Sequence, residues 1–193
     1  MNAELVPSEL GSEASCPPAR LAEVVDDSPG GWWENALGRL RVGERARTPE
    51  GAAQAFPSTA DSVRAARDFV TETVAEWHLP GVSEDLRLVT SELVGNACRH
   101  AVPVGADPGS VRVLVQVRLL RDRSAVACVV ADSSPGAPMK VDAHHFAESG
   151  RGLGLVSAFS REWGWNRVPG HGKVVWAICG AEETNSRGPR YQP

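Results

Sequence analysis

The strongest constraint on this chain is a change of hydrophobic period. From residue 61 to 100 apolar side chains recur every three or four positions, and from 111 to 131 they alternate or run on continuously. In 61–77, DSVRAARDFVTETVAEW, the first pattern puts Val63, Ala66, Val70, Val74 and Trp77 on one side of a helix. Asp61 suits its N-cap, and Pro80–Gly81 suits its stop. A second helix is expected from a Ser83 cap to about His100. Glu84 and Asp85 there meet the positive end of the dipole, and Leu86, Val89, Leu93 and Ala97 form the apolar face. Beyond Pro103, residues 111–120 (VRVLVQVRLL) and 124–131 (SAVACVVA) read as strands. Residues 152–160 read as a short helix, 162–168 and 173–179 as a hairpin through Pro169–Gly170, and 53–56 as a weak opening strand. Helices followed by paired strands predict an α+β fold. It is a two-layer sandwich of a mixed or antiparallel sheet with helices on one face.

The flanks differ from this core. Residues 1–31 carry Glu4, Glu9, Glu13, Glu23, Asp26 and Asp27 against Arg20 alone, a net of −5 in a chain whose total is −4. Proline and glycine recur there, and little apolar surface is available to offset chain entropy. The expected division is a mostly disordered arm over 1–50, a folded domain over 51–180 and a flexible tail over 181–193. Trp32 and Trp33 lead into a segment that, as a helix, would put Trp33, Leu37 and Leu40 on one side; a loosely attached arm is the plainer expectation. The net charge of −4 argues against a generic nucleic-acid binder. No apolar run nears the ~18–20 residues of a membrane span. The start, MNAELVPSEL, lacks the pattern of a signal peptide, so a cytoplasmic protein is expected. Cys16, Cys98, Cys128 and Cys179 are far apart without a CxxC, which predicts free, mostly buried thiols.

Three segments offer chemistry. In residues 91–100, SELVGNACRH, Glu92 and Asn96 are four apart and share a side of the second helix, with Arg99 close by. Gly95 and Asn96 each disfavour a helix interior by several tenths of a kcal/mol or more, and such violations gather at functional sites. The plainer reading is a solvated face with a Glu92–Arg99 pair. Asp132 ends a buried strand just before Ser-Ser-Pro-Gly. There it can accept a hydrogen bond from a ligand amine, or merely cap its own turn. Gly150-Arg151-Gly152-Leu153-Gly154-Leu155 leads into a helix, where alternate glycines let backbone amides approach an anion. It is neither a Walker A loop nor a dinucleotide fingerprint, since Leu155 stands where glycine is needed. No GxSxG elbow occurs, and His144–His145 lacks a metal-ligand spacing. Trp163, Trp165 and Trp176 lie in strand-like runs and are expected in the core.

In order and spacing these segments resemble the ATP-binding domain of the GHKL superfamily, a Bergerat-type fold shared by histidine kinases and gyrase. ELVGNACRHA resembles the N box, VADSSPG the G1 box and ESGRGLGLV the G2 box, over about residues 53–180. SVRAARDFV and GKVVWAI resemble small anti-sigma factor serine/threonine kinases and similar actinobacterial ATP-binding regulators. A complete histidine kinase is not implied, since residues 1–60 contain no histidine.

The resemblance implies a role for each motif. Asn96 would offer its amide oxygen to Mg²⁺ on the phosphates of ATP, and Glu92 would be the catalytic base. Asp132 would read the adenine amino group, partly through water. The backbone of Gly150, Gly152 and Gly154, with Leu153, would hold the phosphates, and Arg151 would be a charge partner. Arg99, Gly136 and Lys173 would complete the nucleotide contacts, under a lid over 138–149. Three departures stand out: Ser134 replaces the first glycine of the G1 pattern, the lid is short, and Lys173 follows Gly172 where many relatives carry threonine.

The implied function is a cytoplasmic serine/threonine kinase that phosphorylates a small anti-sigma factor antagonist and also binds a sigma factor. A homodimer would fit, without direct nucleic-acid or membrane binding. The alternative is a nucleotide-gated protein-binding regulator without kinase activity. A third reading is a degenerate scaffold acting by surface contacts alone.

Overall fold

The computed structural model describes residues 40–120, 123–134, 136–138, 152–168 and 172–180. Strands β1 (Arg45–Thr48) and β2 (Gly51–Pro57) precede helices α1 (Asp61–Glu76) and α2 (Ser83–His100). Strands β3 (Arg112–Leu119) and β4 (Ala125–Asp132) follow, then α3 (Gly152–Phe159), β5 (Glu162–Val168) and β6 (Gly172–Gly180). The six strands form one sheet in the order β1-β2-β3-β4-β6-β5, and every pairing is antiparallel. This resolves the mixed-or-antiparallel expectation and confirms the α+β class. The Pro169–Gly170 turn lies outside the described residues, but β5 and β6 pair as the expected hairpin. The Trp32–Trp33 arm, the 181–193 tail and Cys16 also lie outside them.

Period two assigns alternate strand residues to opposite faces. Val113, Val115, Val117, Val126, Cys128 and Val130 meet Phe69, Val70, Val74, Leu86, Val89 and Leu93 of the helices. Each such buried side chain contributes about 1.5–3 kcal/mol. Leu114, Ala127, Val129 and Trp176 face the other way and are equally buried, with Leu40 and Leu120 against them. The predicted apolar faces of both long helices therefore point into the core. Trp163 and Trp165 pack partly buried on the helix side, and Trp176 is fully buried on the other.

Two expectations at helix starts fail. Asp61 is in the first turn of α1, behind Ala60 at the cap position, and makes no side-chain cap. Instead Ser62 Oγ donates to the Pro57 carbonyl at 2.6 Å and ties the helix start to β2. Ser83 is already inside the helix, because a 3-10 turn over Pro80–Val82 winds the chain before it and puts Val82 at the cap. Glu84 and Asp85 do occupy the first turn of α2.

The sheet also begins earlier than residue 51. Strand β1, RART, is exposed throughout, so no apolar pattern announces it. Charged contacts hold it in place. Arg45 Nε donates to Gln54 Oε1 at 2.7 Å, Arg45 pairs with Glu72 at 3.2 Å, and Arg47 pairs with Glu76. No helix among the described residues is long and apolar enough to cross a membrane.

Candidate functional site

The polar stripe of α2 faces the first residue of α3. A Cβ on Gly152 would stand 2.7 Å from Glu92 Oε2, and 3.5 and 3.6 Å from the Asn96 Nδ2 and Oδ1 atoms. Only glycine permits this approach without displacing Glu92. The stripe is therefore not a merely solvated face. Gly154, two residues on, has nothing within 4 Å of its Cβ position.

The expected Glu92–Arg99 pair is absent among the described residues. Arg99 turns back along the helix, and its Nη2 donates to Asn96 Oδ1 at 2.6 Å. Gly95 makes room for it: a Cβ there would stand 3.4 Å from Arg99 Nη1. The two helix-disfavouring residues, Gly95 and Asn96, thus both serve the placement of one guanidinium.

Asp132 and Lys173 are cross-strand partners of β4 and β6. Lys173 Nζ lies 2.8 Å from Asp132 Oδ1, with the side chains only 7% and 2% exposed. The same oxygen accepts the Ser134 backbone N–H at 2.8 Å. Asp132 therefore caps its own turn and holds a buried cation. Its partner strand comes this close because Gly172 has φ +104°, and a Cβ there would lie 2.1 Å from the Asp132 carbonyl.

Both pairs open on one cavity of about 450 Å³. Its polar lining includes Asn96, Arg99, His100, Asp132, Ser134 and Lys173; its apolar lining is Leu93, Ala97, Val130, Ala137, Pro138, Leu153 and Val175, with Gly136 and Gly152. Such a volume lies in the range of small-molecule and cofactor sites. Ser134 tightens the neighbouring loop, since its Oγ accepts the Gly136 N–H at 3.3 Å. Burial pushes the Cys98 thiol up from its ordinary value, and the charges of Arg99 and Asp132 act on it with opposite sign.

Of the residues singled out in the sequence, Asn96, Arg99, Asp132, Gly136, Gly152, Leu153 and Lys173 line this cavity. Glu92 touches Gly152 without lining it, and Gly154 continues α3 at the surface. Gly150, Arg151 and residues 139–149 of the expected lid lie outside the described residues. His100, Val130 and Val175 were not anticipated. His100 sits one position beyond Arg99, and the valines are ordinary core residues of a strand pattern, so only the cavity marks them.

The donor set fits a magnesium-bound polyphosphate with an adenine base. Asn96 has an amide oxygen suited to a hard cation, Arg99 has a fixed positive charge, and α3 presents its first residue, Gly152, to the cavity. Magnesium keeps several waters and needs few protein ligands. The Asn96 oxygen accepts Arg99 and keeps a second lone pair for a cation.

A family profile described as "Histidine kinase-like ATPase domain" matches residues 56–179. The match runs from β2 to the second-last residue of β6 and contains all three motifs. No curated protein matches the chain.

Proposed function

The chain belongs to the family of histidine kinase-like ATPase domains, and on that premise we propose that it is a cytoplasmic ATP-binding regulator with serine/threonine kinase activity toward a small antagonist protein. The observation that supports this reading best is the approach of Gly152 to Glu92 and Asn96, beside a cavity that also holds Asp132. Three motifs remote in sequence thereby meet one ligand-sized space.

In this reading Asp132 accepts a hydrogen bond from the adenine amino group, and Leu93, Val130 and Val175 supply apolar contact for the ring. Asn96 holds Mg²⁺, which draws off phosphate charge when bound. Arg99 and the N–H groups opening α3 balance the remaining charge. Glu92 takes the proton of the attacking hydroxyl as its oxygen bonds to the γ-phosphorus; the bond to the β-phosphate oxygen breaks, and ADP leaves. Such transfer depends mainly on positioning and charge stabilisation. The partners we propose are an anti-sigma factor antagonist and a sigma factor, with a homodimer as the working assembly.

One observation favours a second reading. The Lys173–Asp132 pair and the Ser134 side chain alter the base end of the cavity, which suits a nucleotide-gated binding protein without phosphoryl transfer. Transfer of labelled γ-phosphate to a cognate antagonist separates the two. Transfer that is lost in Glu92→Ala supports the kinase. Unchanged transfer in that variant overturns the role of Glu92. If MgATP raises the melting temperature but no phosphate moves, the second reading holds. MgATP at 100-fold excess over Kd adds about 2.7 kcal/mol, so an unmoved melting curve at saturating MgATP overturns both.

A further inference from the structure

Lys173 has capacity that its ion pair does not use. An ammonium carries three N–H donors. One goes to Asp132 Oδ1, and Lys173 has no other partner among the described residues. Ser134 shares that same oxygen, which leaves Asp132 Oδ2 without a partner among them. Both side chains line the cavity and are almost fully buried. The wall therefore presents a carboxylate acceptor beside an ammonium donor, held 2.8 Å apart by the pairing of β4 with β6.

The edge of adenine presents the complement: an exocyclic amine that donates, next to ring atom N1 that accepts. Guanine reverses both, with a carbonyl oxygen at C6 and an N–H at position 1. We propose that Lys173 is a specificity-determining residue that donates to adenine N1 while Asp132 accepts from the 6-amino group, so a side-chain pair reads two adjacent atoms of the base. This rests on the ATP-binding reading of the same cavity. A buried donor that meets an acceptor is satisfied, whereas one set against a C–H or N–H is not, and discrimination follows from that difference.

The test is calorimetric titration of the full chain with the magnesium complexes of ATP, GTP and 1-deaza-ATP, in which a C–H replaces N1. The wild-type chain should bind ATP at least tenfold more tightly than 1-deaza-ATP, and GTP more weakly than ATP. Lys173→Met keeps the length and removes the donors, and should reduce the preference for ATP over 1-deaza-ATP to within twofold. Equal binding of ATP and 1-deaza-ATP by the wild-type chain overturns the proposal, even if the variant does not fold. So does a Lys173→Met chain that keeps the tenfold preference or binds ATP more tightly than wild type. GTP bound more tightly than ATP also overturns it. Binding of none of the three nucleotides removes the ATP reading itself, and this proposal with it.

Discussion

Gly152 opens α3 so close to Glu92 that a side chain on it would come within 2.7 Å of the carboxylate oxygen. The start of one helix thus sets the position of a carboxylate on another. The contact is with the far end of a flexible side chain and not with backbone. Gly152→Ala should therefore fold with a stability change of roughly 1 kcal/mol or less, while Glu92 swings aside. Phosphoryl transfer should fall at least tenfold while the melting temperature stays nearly constant. Gly154→Ala meets open space and replaces a helical glycine, so a denaturant titration should show stabilisation of up to about 1 kcal/mol.

Gly172→Ala should behave quite differently. The new methyl would lie 2.1 Å from a backbone carbonyl, at a residue with φ +104°. Backbone cannot step aside as a side chain can. A loss of about 3 kcal/mol or more is expected, read as a large fall in the urea midpoint or as failure to fold.

The Asp132–Lys173 pair predicts a coupled response. Asp132→Ala leaves an ammonium buried without its partner and should cost about 3–5 kcal/mol. The double variant Asp132→Ala with Lys173→Met removes both charges and should be more stable than Asp132→Ala alone. A double-mutant cycle by chemical denaturation measures the difference.

Asn96→Ala removes the amide oxygen that Arg99 now occupies. ATP affinity measured with magnesium should fall tenfold or more, whereas affinity measured in a chelator should change little. Equal losses under both conditions would assign Asn96 to the phosphates and not to the metal.

Burial pushes the Cys128 thiol up to about 11, against which the Thr90 hydroxyl acts, and burial also raises Cys179. The folded state then keeps a proton that the unfolded chain gives up near its ordinary value of 9.0. Stability is fully present below about pH 9 and is lost as pH rises toward 11, by up to roughly 3 kcal/mol for Cys128. Urea titrations at pH 8 and pH 10.5 should show the decline, and Cys128→Ala should make it shallower.

Much of this protein is written locally. Val70, Val74, Leu86, Val89 and Leu93 fall at helical spacing, and Val113, Val115 and Val117 at strand spacing. Side-chain spacing alone dictates which face can leave water. Gly95 and Asn96 stood out because each lowers helix propensity where nothing in the helix itself requires it. Strand β1 left no such trace, since Arg45 and Arg47 are held by the Gln54 amide across the strand pair and by two helix carboxylates rather than by burial. The predicted caps failed because the chain already winds before each helix, at Ala60 and through the 3-10 turn over Pro80–Val82, so Asp61 and Ser83 fall inside the helices.

What tertiary structure alone decided is adjacency. Asp132 and Lys173 are 41 residues apart, and they meet because β6 pairs with β4 after the chain has passed through α3 and β5. Gly152 reaches Glu92 only once α3 lies on α2. A periodic pattern records which side of an element seeks burial, but not which other element will cover it. The separate polar residues were legible in one dimension; their meeting around one cavity depends on the order of strands in the sheet.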